Sequence, residues 1–178
     1  GVSSAASDVY KRQGEWYGTK EIGSNKGVRM SAIDVASGII EKEIILMEGG
    51  WIPKQPLPGP ADNQIRDVRE EDVDTIESKM AKKGVRWDKS DKSPGSRRNG
   101  LQLVRDRLEA SRRREGPGIY FMRNCTASIE TLPSIPRDDD NLDDVDTSCE
   151  DHCYDMVRYR VLKASNRFVK SIKVTYAH

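Results

Sequence analysis

The stretch EDHCYDMVRY, residues 150–159, places three acidic side chains, a histidine and a cysteine within six positions and then continues with the spacing of a helix. On a helix, Asp155 lies about one turn from both Asp151 and His152, so these three side chains can converge on one face. Carboxylate oxygens are the ligands that hard divalent cations prefer. The stretch therefore raises the hypothesis of a metal site at the start of a helix.

A purely structural role accounts for part of the same stretch. Thr147 or Ser148 as N-cap, with Glu150 or Asp151 three residues on, would form a capping box, and acids in a first helical turn are stabilised by the helix dipole. Asp155 lies a turn further in, where a carboxylate gains little from the dipole. The spacing leaves both interpretations open.

Zinc and magnesium make different demands on the rest of the chain. Cys149, His152 and Cys153 are neighbours on a helix, but a structural zinc needs four ligands, and Cys125 is the only other cysteine. Buried apolar packing explains the cysteines better. Magnesium or manganese needs a further acid far away in the chain. Asp62 is the candidate because it ends the segment LPGPAD, and α/β sheets bind ligands at strand ends; the structural alternative for Asp62 is an Asx-turn.

Composition narrows the class of protein but names no partner. The chain has 178 residues, a length that suits one domain. Its 30 Lys and Arg nearly balance its 29 Asp and Glu, which gives a net charge of +1. Any contact with nucleic acid would therefore have to use a local basic patch. An odd number of cysteines without a signal peptide argues against a disulfide framework. No apolar run approaches the roughly 20 residues of a membrane span, so we expect a soluble, intracellular protein.

Patterning predicts helices that alternate with short strands, and hence an α/β sheet packed by helices. Helices are predicted at 31–47, 74–84, 101–115 and 126–135, and strands at 85–87 and 117–122. The first helix would begin at Ser31 as N-cap, end at Gly49 and Gly50, and place Ile33, Ala36, Ile40, Ile44 and Met47 on one face. The second would be capped by Asp72 or Asp74 and closed by Gly84, and the third would direct Leu101, Val104 and Leu108 inward. EWYG suits the end of a strand, and the tail SNRFVKSIKVTYAH would be a weak final strand or an extension. Residues 51–62 and 88–100 are predicted as loops, the second of them flexible. Residues 1–13 contain DVYKRQ, which resembles the translation of a sequencing-library adapter, so they are expected to be non-native or disordered and to take no part in the fold.

Seven blocks in order resemble the C-terminal nuclease domain of the large terminase subunit of tailed bacteriophages: EWYG, KGVRMSAIDVASGI, GPAD, DTIESKMAKKGVRW, GLQLVRDRL, GIYFMRNCTASIETLPSIPRD and DDVDTSCEDHCYDMVRY. The likeness runs from Glu15 to Leu162, and its last block is the most restrictive. It implies an RNase H-like mixed sheet flanked by helices over residues 14–165, without its first strands, followed by a tail at 166–178.

The resemblance also implies an activity and a set of site residues. The family cuts concatemeric viral DNA during genome packaging with two Mg²⁺ or Mn²⁺ ions. The metal ligands would be Asp62, His152 and Asp155, with Asp151 as a neighbour or alternative ligand, so that Asp62, Asp151 and Asp155 form the catalytic set. The basic residues expected to hold the DNA backbone are Arg97, Arg98 and Arg105.

Partners and limits follow from the same resemblance. The expected partners are double-stranded DNA, the portal protein and the small terminase subunit, in the host cytoplasm and without a membrane; ATP would act only through an upstream motor domain absent from this chain. In the family the first catalytic aspartate precedes EWYG, where this chain carries adapter-like sequence, so we expect weak or no activity. The alternatives are another RNase H-like nuclease, such as a resolvase, and a non-catalytic docking module.

Overall fold

A computed structural model describes residues 10–22, 24, 26–68, 73–141, 144–146 and 148–175. The chain is a mixed α/β protein with small parallel sheets. Its described residues divide into two compact units, one formed by residues 10–11, 90–120 and 135–175, the other by residues 12–89 and 121–134. We call the first the α5 unit after its helix α5, His152–Thr175, and the second the α1 unit after its helix α1, Ala32–Glu48, and describe each by itself. None of the helices described here is long and apolar enough to cross a membrane.

Helix α1, Ala32–Glu48, begins as its sequence predicts. The Ser31 hydroxyl accepts a hydrogen bond from the backbone N–H three residues on, as an N-cap does. Ala36 is fully buried, but Ile33 and Ile44, which the pattern placed inward, are more than 40% exposed. Apolar residues lie on more than one side of this helix, so isoleucine spacing alone could not select the inward face.

The segment 51–62 was predicted as a loop but ends in strand β2, Gly59–Ala61. It pairs in parallel with β3, Trp87–Lys89, in a register that places Pro60 opposite Asp88. A proline is compatible with this position because in a two-stranded ladder alternate backbone N–H groups point away from the partner strand. Strand β3 thus begins two residues after the start of the strand predicted at 85–87.

Helix α2, Ile76–Lys82, has Thr75 rather than an aspartate as its N-cap. The two predicted caps were Asp72, which lies outside the described residues, and Asp74, whose side chain instead bonds to Lys82 and Ser78. Gly84 follows the helix end with a φ of 97°, as predicted for a terminating glycine. Ala36, Met80 and Val85 form the buried core of this unit, with surrounding contacts from Val35, Ile39, Ile40, Ile76 and Trp87.

Glu15 fixes the remaining helix of the α1 unit, α4, Thr126–Thr131. Its carboxylate accepts hydrogen bonds from the backbone of Ala127 at 2.6 Å and from the hydroxyl and backbone of Ser128 at 2.6 and 3.2 Å. An acid at a helix N-terminus satisfies orphan N–H groups and interacts favourably with the dipole. The segment EWYG, predicted as a strand end, is therefore an irregular segment whose acid caps a distant helix.

Strand β1, Tyr10–Arg12, pairs with β4, Ile119–Phe121, in a two-stranded sheet. Within the α5 unit the Tyr10 N–H donates to the Gly118 carbonyl at 2.9 Å. The expectation that the whole of residues 1–13 stays out of the fold is therefore wrong for residues 10–12; residues 1–9 lie outside the described residues. Strand β4 itself was predicted.

Two long helices make up most of the α5 unit: α3, Ser96–Arg113, and α5, His152–Thr175. Helix α3 begins five residues before the predicted start, because Gly95 adopts a φ of 79° that reverses the chain into its first turn. Arg97 and Arg98 are thus helical, not part of a flexible loop. Helix α5 continues through the segment predicted as a weak strand or extension.

The two helices pack closely where α3 carries Gly100. A Cβ built there would lie 2.5 Å from Cγ of Arg158 and 3.0 Å from Cδ1 of Leu162. Leu101 and Val104 are buried beside it, as predicted, whereas Leu108 is 41% exposed instead of inward. The missing side chain of Gly100 therefore provides the room in which Arg158 lies.

Gly38 of α1 gives a test of packing in the α1 unit. A Cβ at Gly38 would lie 2.5 Å from Nε1 of Trp16. Alanine would normally stabilise a helix interior by up to about 1 kcal/mol over glycine, but overpacking costs about 1–3 kcal/mol. We expect Gly38→Ala to lower the urea midpoint, followed by tryptophan fluorescence. The neighbouring exposed Ser37→Ala is the control, and a raised midpoint for Gly38→Ala would contradict the packing.

Candidate functional site at the start of α5

His152 is the first residue of α5, and Asp155 lies in its first turn. The Asp155 N–H donates to the Asp151 carbonyl at 2.8 Å, so Asp151 stands at the N-terminal boundary of the helix. The start of α5 therefore places Asp151, His152 and Asp155 within about one helical turn, but among the described residues their side chains do not form a group that could hold a metal ion.

The capping box that the spacing allowed does not form at Ser148. The helix begins four residues after Ser148, and Thr147 lies outside the described residues. Glu150 precedes the helix, and both of its carboxylate oxygens are buried without a hydrogen bond among the described residues. A capping box would have paired this carboxylate with a backbone N–H.

The carboxylate of Asp155 is held by two side chains of its own helix. Nη2 and Nε of Arg158 donate to Oδ1 at 2.6 and 3.1 Å, and the hydroxyl of Tyr159 donates to Oδ2 at 3.2 Å. The side chain of Asp155 is 26% exposed, while that of Arg158 is 1% exposed. One oxygen is thus committed to the guanidinium, and the other keeps acceptor capacity beside a single hydroxyl.

Arg158 is enclosed by aromatic rings as well as by its acid. Its guanidinium carbon lies 4.5 Å from the ring centroid of Tyr159 and 5.9 Å from that of Tyr154. Nζ of Lys92 donates to the Tyr159 hydroxyl at 2.7 Å and also lies 5.0 Å from the ring centroid. A buried cation is tolerated only where charge and π-electron partners replace its water shell, and this arrangement supplies both.

Asp151 lies in an electrostatically unfavourable position for an ionised acid. Burial raises the pKa of its carboxyl group, the negative charge of Asp155 raises it further, and His152 and Arg97 offset part of the rise. Nδ1 of His152 lies 3.9 Å from Oδ1 of Asp151, and the His152 side chain is 70% exposed. The surroundings of Asp151 therefore disfavour the ionised form of its carboxyl group.

Of the three predicted DNA-binding arginines, Arg97 is engaged within the protein. Its Nε donates to Oδ2 of Asp144 at 2.6 Å and its Nη2 to Oδ1 at 3.1 Å. Burial opposes ionisation of Asp144, but the hydrogen bonds from Arg97 and the Val145 N–H outweigh it and lower its pKa. Arg97 thus anchors the acidic loop to α3.

Arg98 and Arg105 line an open groove of about 270 Å³ on α3, together with Asn99, Leu101 and Gln102. Most of these lining residues are polar donors or cations. Guanidinium groups and amides suit the oxygens of a phosphate backbone.

Asp62 lies in the α1 unit, directly after β2, at the carboxyl end of a parallel strand that was predicted as a loop. Its Oδ1 accepts a hydrogen bond from the Gln64 N–H at 2.9 Å, which is the Asx-turn geometry that begins the 3₁₀-helix Asn63–Arg66. The structural role proposed for this residue is thus present. The other predicted metal ligands, His152 and Asp155, belong to the α5 unit.

The donor chemistry at the start of α5 suits a hard divalent cation better than zinc. Asp151 and Asp155 offer carboxylate oxygens, and the buried carboxylate of Glu150 has no hydrogen-bond partner among the described residues. Within those residues, however, no group of three or more His, Cys, Asp or Glu side chains is arranged to hold a metal ion. Mg²⁺ is often bound by one or two carboxylates with water at its remaining positions, and only that kind of site fits here.

Residue patterning missed the partners of Asp155. Arg158 and Tyr159 follow it by three and four positions, the spacing at which helical side chains meet, so their hydrogen bonds could have been predicted. The contributions of Lys92 and Gly100 could not, since they come from distant parts of the chain.

No family model matches this chain, and neither does any curated protein or solved structure. Function is therefore inferred from the residues and their geometry, together with the motifs quoted above.

The raised pKa of Asp151 predicts a pH dependence of stability. A group whose pKa is raised by folding contributes stability that is fully present below its unfolded value, near 3.8, and is lost as the pH rises through the folded value. Asp151→Asn removes this loss. The variant should have a higher thermal midpoint than the wild type at pH 7 and a smaller advantage at pH 3.

Asp146 supplies a control, because folding shifts its pKa in the opposite direction. Hydrogen bonds from the hydroxyl and N–H of Ser148 lower its pKa, so its contribution is present at neutral pH and lost as the pH falls below about 3.8. Asp146→Asn should therefore lower the midpoint at pH 7. Equal effects of the two substitutions would contradict the assigned environment of Asp151.

Proposed function

We propose that this chain is part of a metal-dependent DNA endonuclease of the terminase type, with an RNase H-like fold, that cuts concatemeric viral DNA during packaging. The observation that carries the proposal is the pair of carboxylates at the start of α5, where Asp155 raises the pKa of Asp151. A role in cation binding would explain why two carboxylates stand within one helical turn there. The α/β architecture and the parallel strand before Asp62 are compatible with it.

The roles of the residues follow from their chemistry. Asp155, with Asp151 or His152 beside it, would hold Mg²⁺ or Mn²⁺, and Asp62 is the further ligand expected from the resemblance. When bound, such ions supply charge stabilisation at the phosphate and a more acidic water. Because the described residues do not bring three ligands together, we expect DNA binding by this chain to be stronger than cleavage.

DNA contact is assigned to the groove on α3. Arg105 makes no hydrogen bond or ion pair among the described residues, so its charge is available to a phosphate. Arg97 is held by Asp144 and would act on DNA only through the loop it anchors. The portal protein, the small terminase subunit and an ATP-driven motor domain belong to this proposal as partners of the complete enzyme.

Non-catalytic docking is the competing function. The α3 face would then bind protein rather than DNA, and the acids of α5 would serve only the fold. The ion pair between Arg158 and Asp155 favours this alternative, because an acid that is neutralised within the protein attracts a metal ion less strongly. Metal-dependent cleavage separates the two functions.

Nicking of supercoiled plasmid with Mn²⁺ tests the nuclease proposal. We expect weak nicking by the wild type. Asp155→Ala and Asp62→Ala should each abolish it. Asp146→Ala, which removes an acid of the nearby loop, should leave it unchanged. Mn²⁺ binding, followed by electron paramagnetic resonance of the free ion, should fall with Asp155→Ala. The nuclease proposal is wrong if nicking survives both substitutions, or if the chain neither nicks DNA nor binds Mn²⁺.

DNA affinity tests the groove separately from the chemistry. Arg105→Ala should weaken binding to a fluorescent duplex and reduce the slope of log K against log salt by about 1, since one phosphate contact is lost. Arg112→Ala is the matched control on the same helix, because Glu109 already pairs with this arginine at 2.6 Å. An equal loss of DNA affinity in both variants would show that only net charge matters, and would contradict the assignment of DNA binding to the groove.

A further inference from the structure

We infer that the solvent-exposed side of helix α1 is a docking surface for a basic amphipathic helix of a partner protein. We call this surface the α1 face and define it by the exposed isoleucines and acids of the helix: Ile33, Ile44, Ile45, Asp34, Glu41 and Glu48. Ser37 is the only other exposed residue of α1. The inference goes beyond the proposed nuclease and does not depend on it.

Helix geometry places the members of the α1 face on one side of α1. With about 3.6 residues per turn, all of them fall within an arc of about 120° around the helix axis. Ile33 and Ile44 are separated by about 20° within this arc and by about 16 Å along the axis. The face is therefore a straight stripe about three turns long, which suits an element that lies along it, such as a second helix.

The isoleucines of the α1 face do not hold α1 in its own unit. Ile33, Ile44 and Ile45 are 43%, 45% and 53% exposed, whereas Ala36 and Leu46, on the other side of the helix, are buried. A single exposed isoleucine is ordinary, but several on one stripe form an apolar patch of the kind that marks an interaction site. A partner that covers this stripe would remove from water apolar area that the folding of this unit leaves exposed.

The charge of the α1 face has one sign. Glu41 and Glu48 form no hydrogen bond or ion pair within the part of the chain that the structure describes. The Asp34 carboxylate accepts a hydrogen bond from the Ser31 hydroxyl, which is neutral. Lys42, the only cation of α1, lies outside the arc. The helix itself therefore does not balance the negative charge of its exposed side.

This charge decides between the possible occupants. Two copies of the α1 face laid against each other would bring acids against acids, and an anionic membrane or a nucleic acid would be repelled in the same way. A wholly apolar partner would bury Glu41 and Glu48 without a partner for their charge. A helix with an apolar stripe flanked by Lys or Arg meets both requirements, because it covers the isoleucines and pairs with the glutamates.

A synthetic peptide of leucine and lysine tests the α1 face. It has about 18 residues, long enough to form a helix, and its leucines are spaced to form one apolar stripe. A peptide of the same pattern with glutamate in place of lysine is the charge control. Binding of each labelled peptide to the full chain is measured by fluorescence anisotropy, and the contact is mapped by the NMR shifts of backbone amides.

Matched substitutions separate the α1 face from the rest of the surface. Ile44→Ser removes an isoleucine of the face that is 45% exposed, and Ile129→Ser removes an isoleucine of α4 that is also 45% exposed. Glu41→Lys reverses the charge of an exposed glutamate of the face, and Glu130→Lys does the same to an exposed glutamate of α4. Since all four side chains are exposed, circular dichroism should show that each variant keeps its fold.

We expect the peptide with lysine to bind, with its largest NMR shifts in α1, and the peptide with glutamate not to bind. Ile44→Ser should weaken binding about tenfold and Glu41→Lys about fivefold, while the substitutions on α4 change the affinity by less than about twofold. Absence of binding, or equal losses in the α4 variants, overturns the inference. Self-association of the chain that Ile44→Ser abolishes, measured by analytical ultracentrifugation, would show that a second copy covers the face and would overturn it as well.

Discussion

The buried ion pair between Arg158 and Asp155 is the interaction on which the α5 unit depends. A guanidinium that is 1% exposed can be accommodated only if its charge is matched, and Asp155 at 2.6 Å supplies the match. The pair forms because Gly100 leaves room for the arginine stem between α3 and α5. Removing either charged partner would leave the other buried and unpaired, which typically costs about 3–5 kcal/mol.

The same interaction explains the unequal electrostatics of the helix start. Arg158 pairs with Asp155. Within the part of the chain that the structure describes, no cation hydrogen-bonds to Asp151, whose pKa is raised by burial and by the charge of Asp155. Glu150 adds a buried carboxylate without a hydrogen bond among the described residues. The burial of these two carboxylates is therefore a feature of the helix start that simple capping does not explain.

Much of the fold could be predicted where local chemistry decides it. The Ser31 cap and the glycines after α1 fixed the ends of that helix, and the Pro-Gly break before β4 marked the strand. Predictions failed where a distant partner decides: Glu15 caps α4 from more than a hundred residues away, and residues 10–12 become a strand because β4 offers them backbone partners. The pattern around Ile33 and Ile44 failed for a related reason, since the inward face of an apolar helix depends on what packs against it.

For the candidate site, the sequence by itself determined that Asp155 lies about one helical turn from Asp151 and His152, because helix geometry sets this spacing wherever the helix forms. It also determined the hydrogen bonds from Arg158 and Tyr159, three and four residues after Asp155. Only the tertiary structure decided that Arg158 is buried and that Lys92 orients Tyr159, since both depend on chain segments more than fifty residues away in sequence. The packing of α3 against α5 therefore decides the surroundings of Asp155, because the room left by Gly100 lets the Arg158 side chain lie buried beside that acid.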